Sequence, residues 1–228
     1  MHLIITALLL LMPVTIRTAT AQDVTDSHDT HLWAQVVATL SATENWRVHL
    51  EAQPRWQENV SESFQVITRT AVGRRINSRL TLWGGHAWVA KPPGPGVGHE
   101  QRAWQQASIT LPAVKKWTPA IRLRQEQRWQ SQWADNSHRL RMMARFVRPV
   151  TADNRWSIAA WNESMITFDD TAGGPARGFD QNRLFGGVLR RLSPHASLEF
   201  GYMWVGTNVP AGPRNDFHVP FVWLNLTY

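Results

Sequence analysis

From His31 to the end of the chain, apolar and polar side chains alternate with a period of two, the mark of strands that present two unlike faces. The segment 46–57 shows this most cleanly. Trp46, Val48, Leu50, Ala52, Pro54 and Trp56 fall on one face, and Arg47, His49, Glu51, Gln53, Arg55 and Gln57 on the other. Wound as a helix, the same residues would scatter their apolar side chains around the whole circumference. The pattern recurs at 139–147, where Leu140, Met142, Ala144 and Phe146 oppose Arg139, Arg141, Met143 and Arg145. At 196–206, Leu198, Phe200, Tyr202 and Trp204 oppose Glu199, Gly201 and Met203. At 120–130, Ile121, Leu123 and Trp129 oppose Arg122, Arg124, Glu126 and Arg128.

Weaker alternation covers 31–40, 64–75, 79–90, 100–110, 156–168, 179–191 and 217–228, which makes eleven segments in all. The connections alternate in character. Those at 41–45, 76–78, 111–119, 151–154 and 193–195 are short or turn-like, and those at 58–63, 91–99, 132–138, 169–178 and 208–215 are mostly longer or richer in Gly and Pro. Short turns at one end and longer loops at the other are the rhythm of outer-membrane barrels. The predicted fold class is all-β: an up-and-down antiparallel β-barrel of outer-membrane type with roughly 10–12 strands. Bacterial single-chain barrels have even strand numbers. A count of eleven therefore predicts that one strand is split or missed, or that 31–40 lies partly outside the closed sheet.

The first 21 residues follow another logic. An apolar run from Leu3 to Val14 precedes Ala19-Thr20-Ala21, a small-residue cleavage pattern, with His2 alone as its basic flank. Residues 1–21 read as a signal peptide, 22–30 as a polar, disordered segment, and 31–228 as a single barrel domain. No other stretch approaches the run of about 20 apolar residues that a spanning helix needs. Cysteine is absent, so disulfides and thiolate metal sites cannot form. The net charge is +7, a balance that nucleic-acid binders share. Here the Arg and Trp residues are dispersed at strand-like spacing, so no nucleic-acid partner is expected.

A soluble barrel and a membrane barrel share this period but reverse its faces. In the membrane version, the polar phase lines the interior. That phase holds Glu51, Arg55, Arg69, Glu100, Arg102, Arg122, Arg124, Glu126, Arg128, Arg139, Arg141, Glu163, Arg183 and Glu199. Mixed signs at this density suit pairing across neighbouring strands. Trp46, Trp56, Trp88, Trp129 and Trp156 stand near strand ends, where aromatic girdles belong. The chain ends on alternating Val222, Leu224, Leu226 and Tyr228, which resembles the closing strand that barrel-assembly machinery reads. Outer-membrane lipid and that machinery are the expected partners, and the outer membrane the expected location. Gln101, Gln105, Gln125 and Gln127 share the apolar phase and support the other version, a soluble periplasmic binding barrel with its charges outside.

Several of these stretches together resemble an uncharacterised family of bacterial outer-membrane-like barrels, domain of unknown function 2490. The resemblance is carried by Glu100, Arg102, Trp104 and Gln105-Gln106, by Arg122, Arg124, Glu126 and Arg128, and by Arg139 and Arg141. Glu163, Asp180-Gln181-Asn182-Arg183, Gly186-Gly187, Glu199 and Gly201-Tyr202 continue it across 31–228. It implies a barrel-like fold and an envelope location, and no established activity. The polar residues can form a structural ladder that fills a narrow barrel, or a conduit or site for an anionic solute.

Candidate chemistry is sparse. Outer-membrane lipid hydrolases resemble one another in a His-x-Ser pair on one strand, and His195-Ala196-Ser197 has that form, with Asn208 as a conceivable third member. The pair follows Pro194 at a short turn, where His and Ser are ordinary. His28 and His31 could at most make a weak metal-binding tail, and no metal or other cofactor is expected. Asp169-Asp170 lies in a Gly-rich loop, and Gly94, Gly96 and Gly98 alternate with Pro and Val without opening a helix, so neither is a catalytic pair or a phosphate cradle. The expectation is a non-enzymatic barrel, structural or forming a narrow polar pore, with lipid hydrolysis through His195 and Ser197 as the alternative.

Overall fold

The computed structural model describes residues 30–91, 98–172, 174–208 and 215–228, and every regular element among them is a strand. In chain order these are β1 (Leu32–Ser41), β2 (Trp46–Gln57), β3 (Glu62–Arg75), β4 (Leu80–Ala90), β5 (Glu100–Thr110) and β6 (Thr118–Gln130). They continue as β7 (Ser137–Pro149), β8 (Trp156–Thr167), β9 (Gly178–Ser193), β10 (Ala196–Thr207) and β11 (Asn215–Thr227). Each strand pairs antiparallel with the next, and the sheet closes on itself. The signal-peptide expectation for 1–21 lies outside the described residues, as does the disordered segment except for Thr30, which bridges His218. Gly94, Gly96 and His28 are outside them too.

The closure departs from a wholly antiparallel meander. Strands of an up-and-down sheet alternate in direction, so an odd number brings the first and last together pointing the same way. β1 and β11 are accordingly parallel, from Trp33↔Phe221 to Thr39↔Thr227. The expectation that 31–40 lies partly outside the sheet, or that the strand number is even, is corrected: β1 is a full member of an eleven-strand barrel. A further consequence is that Thr30 sits at the long-loop end, bridged to His218, whereas Tyr228 bonds Thr39 and Ser41 at the short-turn end. Of the four prolines within strands, Pro119 and Pro149 lie at strand ends, and Pro54 and Pro220 are placed where a missing donor is tolerated. The β1–β2 pairing passes from Trp33↔Arg55 to Val36↔Ala52 and skips Pro54, and Pro220 immediately precedes the first β1–β11 pair.

Alternation decides which side chains go in. On β2, Glu51, Gln53 and Arg55 are buried between the exposed or half-buried Leu50, Ala52, Pro54 and Trp56. β3 buries Ile67, Arg69 and Ala71 and exposes Val66 and Val72. Among the described residues, thirteen Arg and Glu side chains are buried, while Leu50, Val72, Leu82, Leu123, Leu184, Phe200 and Val222 are exposed. Outward Trp46 stands at the short-turn end and outward Trp88 and Trp129 toward the long-loop end. The outward glutamines of β5 and β6 are partly self-satisfied, since the Gln105 and Gln127 amides each donate to the other's oxygen at 3.3 and 3.1 Å.

Candidate functional site in the barrel lumen

All fourteen charged residues that alternation assigns to one face lie inside the barrel; Arg122 is half-buried and the rest are buried. Register explains much of their pairing. Glu51 faces Arg69 directly across β2–β3, Glu126 faces Arg139 across β6–β7, and Glu163 faces Arg183 across β8–β9. Each opposed pair is an ion pair: Glu51 with Arg69, Glu126 with Arg139 at 2.6 Å, and Glu163 with Arg183 at 3.5 Å.

Three carboxylates act as hubs. Glu100 accepts two bonds from Arg102, at 2.8 and 3.0 Å, and one from Arg128 at 2.5 Å. That hub keeps apart the like charges of Arg102 and Arg128, which are themselves register partners. Glu126 accepts from Arg139 and, at 2.9 Å, from Arg141. Glu163 takes Arg141 in a bidentate clasp at 3.0 and 2.8 Å and also accepts from Arg122 at 2.7 Å. Forked guanidinium geometry makes such multiple bonding possible where a lysine ammonium would offer a point charge. The ion pairs also cross the lumen: Arg145 on β7 clasps Glu199 on β10, with one bond of 2.8 Å.

Cations exceed anions, and the surplus is placed on amides and rings. Arg55 donates to Gln53 at 2.7 Å and Gln65 at 3.3 Å and lies 3.6 Å over Trp33. Arg183 reaches the same indole from β9 at 4.9 Å. Arg124 donates to Gln106 at 2.7 Å and stacks 4.2 Å from the Trp104 ring. Guanidinium groups desolvated over an indole face are favourable by up to about 2 kcal/mol.

Much of the rest of the lumen is aromatic and apolar. Trp33, Met143, Ala159, Trp161, Phe185, Met203, Val205, Val219 and Phe221 form one buried cluster. Trp161 stacks on Phe185 at 5.1 Å, and Phe221 meets both rings edge-on. Gly187 and Gly201 oppose each other in register beneath this stack. A Cβ on Gly187 would come within 2.5 Å of the Phe185 ring and one on Gly201 within 2.9 Å, so only glycine leaves room for it. Between the charged and aromatic parts lies a cavity of about 40 Å³, bordered by Trp33, Arg122, Arg124, Arg141, Glu163 and Trp223 among others. That is room for about three waters.

Alternation put Arg145 on the charged face of 139–147, but its partner Glu199, three strands away, and the aromatic cluster as a filling were not legible from single strands. β11 shows why. Phe217, Val219, Phe221 and Trp223 go in, but Val222 and Leu224 on the opposite phase are just as apolar, so period two carries no sign of the inner face. The His195-x-Ser197 pair lies at the short-turn end. The His195 ring is exposed, is 2.9 Å from the Thr227 carbonyl through Nδ1, and stacks on Tyr228 at 5.3 Å. Among the described residues it makes no hydrogen bond to Ser197, which is half-buried on the inner phase. Among them, too, no three His, Asp or Glu side chains are grouped as metal ligands.

A closed, single-sheet all-β barrel with an ionic and aromatic filling defines the class of this protein. Within that class, the chain belongs to the family described as protein of unknown function DUF2490, whose model matches residues 30–216. An uncharacterised protein of Methylorubrum extorquens is 34% identical to it over 157 residues, which is 67% of this chain and 68% of the relative.

Proposed function

We propose that this protein is an outer-membrane barrel with a structural role, its lumen sealed by its own side chains. The observation that carries the reading is the inverted polarity of the sheet. Buried charge costs several kcal/mol per ion unless it is paired, and here it is paired inside, while large apolar side chains cover the outside. Water offers no reason for that distribution; hydrocarbon does. The strands have 10 to 16 residues, enough for the roughly 9–11 that cross a bilayer when tilted. The leader-like residues 1–21 and the alternating C-terminal strand fit export and insertion.

The charged and aromatic side chains that fill the lumen favour the sealed form over a conducting one. Fractionation of expressing cells, detergent extraction and heat-dependent gel mobility test the reading together. Recovery in the outer membrane with a heat-shifted band is expected, and planar-bilayer recordings should show no steady conductance. A monodisperse periplasmic protein without detergent overturns the reading. A stable ion current would keep the location and replace the sealed lumen by a narrow pore.

A further inference from the structure

The two ends of the barrel carry opposite charge. Within the short-turn end, residues 42–47, 74–79, 112–117, 148–155 and 190–195 hold ten Lys or Arg side chains against two carboxylates, Glu44 and Asp153. The described residues of the long-loop end (57–63, 91, 98–99, 131–136, 168–172, 174–177, 208 and 215–216) hold six carboxylates against Lys91 and Arg177. Among the described residues, the only salt bridges of the basic end are Arg75 with Glu44 at 4.0 Å and Arg155 with Asp153 at 3.4 Å. The surplus is therefore not an internal network like that of the lumen.

Three of these arginines are paired with tryptophan. Arg74 lies 5.7 Å over Trp46, Arg148 is 5.8 Å from Trp117, and Arg190 is 5.2 Å from Trp156. Trp46↔Arg74 and Trp156↔Arg190 are register partners, and their alternation puts both on the outer wall at the rim. All three arginines are exposed. An indole favours the level of lipid headgroups, and a guanidinium held over it keeps N–H donors that match a phosphate in pairs.

We propose that the short-turn rim binds the phosphate headgroups of anionic phospholipid. The proposal rests on the membrane reading above. It is specific to one end, because the carboxylates of the long-loop end repel the same headgroups. A basic side chain close to an anionic bilayer favours contact about fivefold, and the gain fades within a Debye length.

Quenching of rim tryptophans by brominated lipid tests it. The chain is refolded into phosphatidylcholine vesicles that contain either brominated phosphatidylcholine or brominated phosphatidylglycerol as a minor component. Stronger quenching by the brominated phosphatidylglycerol is expected, weakening as salt is raised. A variant with Arg74→Gln, Arg148→Gln and Arg190→Gln, checked for folding by its heat-shifted band, should lose about fivefold or more of that preference. Equal quenching by the two lipids, or a preference unchanged in the triple variant, overturns the proposal while leaving the membrane barrel in place, and would turn the rim toward an acidic protein partner. Absence of quenching by either lipid, with no heat-shifted band, overturns both readings.

Discussion

β5, β6 and β7 fill their side of the lumen with charge and amides, while β9, β10, β11 and β1 fill theirs with rings and aliphatic side chains, and the two fillings obey different rules. The ionic side is directional. Glu163 can hold Arg141, Arg122 and Arg183 only because three strands bring guanidinium forks to one carboxylate. The aromatic side is volumetric. Trp161, Phe185 and Phe221 fit because Gly187 and Gly201 leave space. An ionic filling tolerates little change in sign and geometry, whereas an aromatic one tolerates little change in volume. Trp33 joins the two, one indole flanked by Arg55 and Arg183 and packed into the apolar cluster.

The largest effect separating the two sides should come from Glu163→Gln. The neutral amide leaves buried guanidinium groups without their carboxylate, a loss of about 3–5 kcal/mol in denaturant unfolding of the refolded barrel. A loss below about 1 kcal/mol would mean that the charged side is not held by this hub. Gly187→Ala probes the aromatic side and should cost about 1–3 kcal/mol through overpacking, its new Cβ meeting the Phe200 carbonyl and, at 2.5 Å, the Phe185 ring. Phe185→Leu in the same chain should recover part of it, a rescue that no charge explanation predicts.

A double change sharpens the comparison further, because its net effect should be small. Arg145 and Glu199 span the lumen as a pair, with the Arg145 guanidinium also 5.4 Å from the Trp223 ring. Glu199→Leu alone should lose about 3–5 kcal/mol, yet the double change Arg145→Met with Glu199→Leu should lie within about 1 kcal/mol of the parent. Equal losses in single and double variants would show that the pair does more than compensate itself. The smallest effect is local and lies in the long loop after β8. The backbone N–H of His138 donates to Asp169 at 2.6 Å, and that bond is the main cause holding the Asp169 carboxyl below its ordinary value of 3.8. A depressed carboxyl contributes its stabilisation above the unfolded value and loses it as pH falls through the folded one. Amide protection around residues 138 and 168–172, measured against the intrinsic exchange rate at each pH, should therefore fall below about pH 4 in the parent, and Asp169→Asn should show the lower protection already at neutral pH.

Strand positions were legible to within two residues, and for 46–57 and 100–110 the predicted and observed spans coincide. Burial on one face leaves a period-two trace in any strand whose other face differs from it in polarity, and most strands here meet that condition. So the inward Arg and Glu residues could be read from the chain as well. β11 and the inner phase of β1 did not meet it, and the aromatic cluster went unread.

What the sequence determined by itself was local: strand after strand with two faces, short turns alternating with longer loops, and a charged phase too dense to leave unpaired. The tertiary structure decided everything that depends on counting strands around a circle. It made the β1–β11 seam parallel and put Thr30 and Tyr228 at opposite ends. It also let Arg145 on β7 reach Glu199 on β10 and brought Arg183 over Trp33. Alternation is a property of neighbours along one strand, whereas closure and contact across a lumen follow from strand number and curvature, which no single strand encodes.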